Sequence, residues 1–466
     1  MRRAVRTTSR SRWPGSAPCR WWRRSSSRWW RISRTTKGRS MAEFTAAVYQ
    51  NEFLPDGGTD VNAIVSVTCS GAGVAGQGGS AAAGEIIIID TSGSMGVESM
   101  EAAKQAATAA LAEIVDGTYF SVISGNGAAF LVYPNVTSGP AMVQMTATSR
   151  AQASAAVAQL RAGGGTVIST WLDLAGVVFG SVPQVQQRHA ILLTDGENNE
   201  APEVLQAATD RATGYYQCDC RGVGVDWKVA DIRPIAQALL GTIDIIPAPS
   251  QLRAEFQAIM RTSMSRGVAD AELRVWAPQG STVVFVKQVS PTVDDLTGRR
   301  SVVNDLTGGY PTGAWSDESR DYHVAIRLAA KAIGQEQLAA RVQVVVGDEV
   351  KAQGLVKAKW SDDSALTTRI DQQVAHYTGQ AELAQVIQEG LAAKAVGDEE
   401  TATTKLGRAV QLAAETGNDE ATAKLRKVVD IEDADAGTVQ LKKAVEKADE
   451  MALDTASTKT TRVRKP

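Results

Sequence analysis

Cysteine, histidine and long apolar runs are all scarce in this chain. Four cysteines and three histidines are spread over 466 residues. The cysteines are Cys19, Cys69, Cys218 and Cys220. There is no Cys-x-x-Cys pair and no Cys/His cluster, which argues against a zinc site. Cys218 and Cys220 stand two apart in an expected strand, too close for an easy disulfide in extended geometry. They share one strand face and read as small buried apolar residues. This usage fits a reducing cytoplasm, the expected location. No window approaches the ~18 to 20 continuous apolar residues of a membrane span. No apolar segment follows Arg2-Arg3, so no secretory signal is expected there.

Acids are missing from the first forty residues. That segment holds 13 of the 49 basic residues and none of the 51 acids, so the chain from Met41 on carries 36 basic and 51 acidic residues, a net of -15. An acidic body offers no basic face for nucleic acid. Residues 1–40 also carry Trp13, Trp21, Trp22, Trp29 and Trp30 amid Arg and Ser, without periodicity. They read as a disordered basic, Trp-rich segment, with Met41 a candidate true start. The alternative is a basic aromatic arm for a membrane or nucleic acid.

What is abundant is branched apolar sequence ending in oxygen ligands. Glu85-Ile-Ile-Ile-Ile-Asp90-Thr-Ser92-Gly93-Ser94-Met95 reads as a strand buried on both faces that stops in Asp, Ser, Gly and Ser. This sets a carboxylate and two hydroxyls at the C-terminal end of a buried strand, where open α/β sheets bind ligands. Oxygen ligands at i, i+2 and i+4 suit a hard divalent cation.

The chain divides into six stretches. After residues 1–40, residues 41–83 contain the weakly alternating Phe44–Asn51, the clear strand Val61–Cys69 and a Gly/Ala/Ser-rich connector. Residues 84–266 alternate strand and helix, the pattern of a doubly wound parallel sheet. Ala190-Ile-Leu-Leu-Thr194-Asp195-Gly196 is a second buried strand ending in an acid, and Gly163-Gly-Gly-Thr166 is a tight loop before a helix. Residues 267–361 hold five strand patterns separated by turns, expected to form a β-sandwich. The early strands lack partners of their own, so they are expected to complete it, with the α/β unit inserted between the halves. Residues 362–454 read as helical hairpins, with helices near 366–394, 399–416, 418–430 and 437–453. Residues 455–466 read as a disordered tail.

Asp90-x-Ser92-x-Ser94, Gly-Gly-Thr166 and Thr194-Asp195-Gly196, in this order on alternating strands and helices, resemble a von Willebrand factor A domain. The Ile-rich strand before Asp-Thr-Ser-Gly-Ser-Met resembles bacterial members in particular, over roughly residues 84–265. The flanking β-rich segments resemble those around some bacterial members. The resemblance implies a metal-ion-dependent adhesion site. Ser92 and Ser94 would ligate Mg²⁺ or Mn²⁺ through hydroxyls, Thr166 directly or through water, and Asp90 and Asp195 mostly through water. A protein partner would supply an Asp or Glu carboxylate to the metal. Gly93, Met95, Glu197 and Asn198 are candidates to touch that partner, although Glu197 and Asn198 also read as a solvated loop.

Other chemistry finds less support. A haloacid-dehalogenase-type phosphatase or phosphotransferase would need a second acid where Ser92 stands. No Walker Gly-Lys-Ser/Thr and no Gly-x-Gly-x-x-Gly after the first strand is present. Nothing resembles a nucleophile beside a base, so a non-enzymatic scaffold is expected. His189, Trp171 and Trp227 read as structural. A partnership with a MoxR-type AAA ATPase is the alternative the resemblance brings. Thr458-Lys-Thr-Thr-Arg-Val-Arg could be phosphorylated and read by a forkhead-associated domain, or could be an inert tail.

Overall fold

The computed structural model describes residues 42–76, 82–136 and 141–463. The expectations for residues 1–40 lie outside the described residues.

The centre is a sheet of seven strands. Its main order is Ile243–Ile246, Gln217–Val223, Val185–Thr194, Ala82–Asp90, Tyr119–Gly125 and Ala129–Tyr133, with the short Val143–Gln144 also paired to Tyr119–Gly125. All neighbours are parallel except the strands beside Tyr119–Gly125 on its outer side. The isoleucine run explains the layering. Ile86 and Ile88 join one core with Trp171, Leu172, Leu205 and Ile232, beneath the helices Ile168–Gly180, Pro202–Ala212 and Val229–Ala238. Ile87 and Ile89 join the opposite core with Met100, Leu111 and Phe256, beneath Gly96–Glu113 and Leu252–Met264. Alternating side chains thus feed two cores, and each buried Ile stabilises by about 1.5–3 kcal/mol.

The chain enters this sheet in the middle, winds to one side, then returns to the other. The reversal falls between Ala82–Asp90 and Val185–Thr194. Loops leaving a sheet at such a switch point diverge and open a crevice at the C-terminal strand ends.

Two flanking sheets lie on either side of this unit in sequence. One has the order Glu43–Gln50, Asp60–Ser70, Ser319–Arg327, Thr282–Ser290, Asp294–Asp295. The other runs Ser301–Asn304, Thr307–Trp315, Val268–Trp276, Glu336–Val346, Glu349–Trp360, Phe53–Leu54. Val65 and Val324 of the first share a core with Leu273, Val342 and Val356 of the second. The early strands therefore complete sheets built mainly from later sequence, and the α/β unit is an insertion between Ser70 and Val268.

The C-terminal region is helical with one exception. Ser364–Thr367, Gln372–Ala395, Glu399–Glu415, Asp419–Val428 and Lys447–Ala456 are helices. Asp371, Asp398 and Asn418 cap three of them with side-chain oxygens. The expected helix over 437–453 is corrected. Val429–Asp433 and Thr438–Leu441 form a hairpin, and the helix begins only at Lys447. Val439 is buried between the exposed Thr438 and Gln440 and pairs across the hairpin with Ile431, a strand alternation that overrides helix propensity. Gly437 turns with a φ of 68° and abuts Gly407, where an added Cβ would stand 2.3 Å from the Gly437 oxygen.

The expected disordered tail is also corrected as far as residue 463. Thr292 and Lys459 form an antiparallel bridge, and Val293 N donates to Thr458 O. Arg462 donates both Nε and Nη2 to Asp321, at 3.0 and 2.8 Å. Asp321 is buried, and a buried carboxylate needs such partners. Among the described residues, no helix is long and apolar enough to cross a membrane.

Candidate functional site

The three sequence motifs meet at the C-terminal edge of the central sheet. Asp90 is fully buried at the end of its strand. Its Oδ1 accepts from Ser92 N at 2.7 Å and its Oδ2 accepts from Thr194 Oγ1 at 2.6 Å. Ser92 Oγ and Ser94 Oγ are 2.8 Å apart, and Ser94 Oγ donates to Asp195 Oδ1 at 2.7 Å. Thr166 is located by Gly196. A Cβ built there would stand 2.7 Å from Ser94 Oγ and 3.3 Å from Thr166 Oγ1. The two hydroxyls therefore border the same glycine, and any side chain at 196 would crowd them.

Both carboxylates are held against their preference. Burial pushes the Asp90 carboxyl upward, although hydrogen bonds from Ser92 and Thr194 oppose the shift. Asp195 is pushed up to about 6 by burial, with Asp90 and Asp226 adding repulsion. Two acids concentrated in a buried crevice call for positive charge.

The loops are tied to each other by backbone bonds. Gly93 N donates to Gly164 O at 2.9 Å, and Gly163 N donates to Thr91 O at 2.8 Å. Asn126 Nδ2 donates to Gly163 O, while Asn126 O accepts from Val167 N and from Trp171 Nε1. Trp171 lies flat against Gly125, where a Cβ would come within 2.3 Å of the indole. Its expected structural role thus extends to the site.

The segment after Asp195 does more than form a solvated loop. Thr166 N donates to Asn199 Oδ1 and Asn199 N donates to Thr166 O, both at 2.7 Å. Ile168 N donates to Asn198 Oδ1 at 3.3 Å, and Ser169 N donates to Glu200 Oε1 at 2.8 Å. Ser169 Oγ also donates to Glu200. The helix Ile168–Gly180 has no side-chain cap from its own N-cap residue. Its first amides are satisfied from the neighbouring loop instead. Helix-capping residue types in Glu-Asn-Asn-Glu were the available signal, but they cap a helix distant in sequence.

Of the partner-contact candidates, Gly93 and Glu197 are exposed. Glu197 pairs with Lys228 at 2.7 Å. Asn198 is half-buried and engaged with Ile168. Met95 is corrected: it is 1% exposed and packs in the core with Met100 and Phe256, because the turn after Ser94 directs it under the helix. Val97, which the sequence did not single out, is 90% exposed just beyond the loop.

His189 and its partners lie toward the other end of the sheet. Its Nδ1 is 2.6 Å from Glu85 and its Nε2 2.9 Å from Asp219. Burial disfavours its charge, but Glu85 and Asp219 outweigh that and raise it to about 9. Cys218 and Cys220 are buried and free on one strand face, as expected. Trp227 is buried against Gly222.

Comparison with known proteins decides the family. A solved structure described as von Willebrand factor type A from Catenulispora acidiphila is 44% identical, covers 92% of this chain and 99% of its own, and superposes with a TM-score of 0.85. The chain belongs to the von Willebrand factor type A family. The family profile for the von Willebrand factor type A domain matches residues 85–245. The profile for a von Willebrand factor type A C-terminal domain matches residues 411–457. That second match includes the unexpected hairpin.

The ArnB paralog VWA2 from Sulfolobus acidocaldarius shares the fold, at a TM-score of 0.56 and 16% identity over 90% of this chain and 98% of its own. An uncharacterized protein of Synechocystis is 28% identical over 218 residues, 45% of this chain. The match spans about half that relative's length, 49%.

The von Willebrand unit is a protein-interaction domain, and its oxygen-rich edge is the part whose chemistry stands out. Among the described residues, no group of three or more His, Cys, Asp or Glu side chains is placed to hold a metal. Any cation at this edge would depend on Ser and Thr hydroxyls beside two carboxylates.

Proposed function

We propose that this chain is a metal-dependent protein-interaction scaffold, binding a partner through a divalent cation at Asp90, Ser92, Ser94, Thr166 and Asp195. The observation that carries this reading is the convergence at Gly196. Hydroxyls from two different loops border one glycine, and one of them donates to Asp195. The donor set is all oxygen, which fits Mg²⁺ or Mn²⁺ and disfavours softer metals. The raised Asp90 and Asp195 carboxyls support it, since a cation favours their ionised forms.

Bound there, the metal supplies positive charge for a carboxylate ligand from outside the chain. The protein's part is to hold the donors in place. Asp90 is fixed by Ser92 and Thr194, Ser94 by Asp195, and the Thr166 loop by Asn126 and Asn199. Gly93 and Ser94 are exposed at the rim, with Val97 offering an apolar contact nearby. The partner's recognition element is therefore an Asp or Glu on a protein surface.

Capture on immobilised full chain tests this. Partners should be retained in Mg²⁺, released by EDTA and absent from Asp195→Ala. Capture indifferent to EDTA and to the substitution would refute it.

A further inference from the structure

A cavity of about 280 Å³ lies where the von Willebrand unit, the flanking sheets and the C-terminal segment meet. Gln217 and Ile243 in its wall begin their strands, and Thr242 directly precedes one, so it sits at the edge of the central sheet opposite Asp90 and Asp195. Ligand sites favour such junctions.

Its charged lining is Arg233, Arg266, Arg320, Lys459, Asp294 and Glu318. Most of these are matched. Arg320 donates to the Thr312 and Ala314 carbonyls and to Glu318. Lys459 donates to Asp244, and Asp294 holds Arg299. Arg233 gives its Nη2 to the carbonyl and carboxylate of Asp454.

Two sets of donors remain. The Arg266 side chain is only 15% exposed, yet its guanidinium makes no hydrogen bond among the described residues. Its nearest carboxylate oxygen, Asp219 Oδ2, is 3.9 Å away, beyond hydrogen-bond reach. Asp219 already accepts from Thr242 and stands 2.9 Å from His189 Nε2. Arg233 Nε is buried without a partner. An unmatched buried donor is destabilising, and more so when charged. Arg266 therefore brings guanidinium donors without hydrogen bonds to the cavity wall, whereas Arg233 Nε is sealed from it.

We propose that this cavity binds a small free oxyanion, a compact carboxylate- or phosphate-bearing molecule. Guanidinium groups match planar or tetrahedral oxyanions through paired N–H donors. The volume falls just below the range of ordinary ligand sites, which restricts the occupant to a small molecule. Lys459 and Thr458 of the docked tail form part of the wall, so occupancy would also hold the tail in place.

The test is calorimetric titration of inorganic phosphate, and separately of malonate, into the full chain in EDTA at constant ionic strength. Saturable binding of one or both is expected, and which anion binds identifies the source. Arg266→Gln should weaken it at least about tenfold, and so should Arg266→Lys, which keeps a cation beside Asp219 but loses the paired N–H donors. Asp195→Ala should bind as wild type, which separates this cavity from the proposed metal site. If Arg266→Gln does not fold, Arg266→Lys decides the matter. No saturable binding of either anion, or unchanged binding in these arginine variants, would overturn the proposal.

Discussion

The hydroxyl of Thr194 donates to Asp90 Oδ2 at 2.6 Å, joining the ends of the two strands between which the sheet reverses direction. Asp195, the next residue, accepts from Ser94 on the Asp90 loop. The two halves of the site are thus bound together twice at the crevice. Thr194→Val keeps the shape and removes the donor. It should lower stability by about 1–3 kcal/mol in urea unfolding, because Asp90 loses a partner where no water replaces it. It should also weaken Mg²⁺ binding.

The Asn199 side chain holds the Thr166 loop from outside the proposed ligand set. Asn199→Ala should leave secondary structure intact by circular dichroism. Divalent-cation affinity should fall about 10–100-fold, the usual cost of losing a group that orients a ligand. An unchanged affinity would mean that Thr166 is positioned without it.

Two buried histidines give opposite pH limbs. His189 is raised to about 9, so its contribution is fully present below its unfolded value of about 6.5 and is lost as pH rises through 9. His323 is pushed down to about 4 by burial and by Lys287. Its contribution is present above about 6.5 and is lost as pH falls through 4. Thermal denaturation should show the alkaline limb flattened in His189→Gln and the acid limb flattened in His323→Asn. Each difference from wild type isolates one histidine.

The tail clasp predicts a rescue. Arg462 is half-exposed but pairs with the buried Asp321, which also accepts from Tyr377 and Ser66. Arg462→Ala should cost about 1–3 kcal/mol, less than breaking a fully buried pair because solvent reaches the arginine. In an Asp321→Asn background the same change should cost markedly less. Equal losses in both backgrounds, measured by chemical denaturation, would show that the pair is not coupled.

The sequence made the central unit legible because its signals are local and dense. Four consecutive isoleucines can only be buried on both faces of a sheet, and each motif falls at a strand end or in a Gly-rich turn. The insertion was legible as well, since Val61–Cys69 alternates but has no neighbour to pair with. What stayed hidden depends on distant contacts. Asn198 and Glu200 satisfy the first amides of a helix some thirty residues earlier in the chain, and Asn199 holds the Thr166 loop before it. Nothing local to Glu85 signals its partners, yet it is buried against His189 and Ser263. The 429–441 hairpin was masked by Ala, Lys and Glu on both sides, which favour helix. Thr460 and Arg462 read as tail until Val289 and Asp321 give them acceptors.

Cation binding tests the central claim most directly. Free Mn²⁺ can be followed by electron paramagnetic resonance as it is titrated with full chain, wild type and Asp195→Ala. The account predicts one saturable site per wild-type chain, displaced by excess Mg²⁺ and lost in the variant. Wild-type protein that takes up no Mn²⁺, or a variant that takes it up equally well, would contradict it.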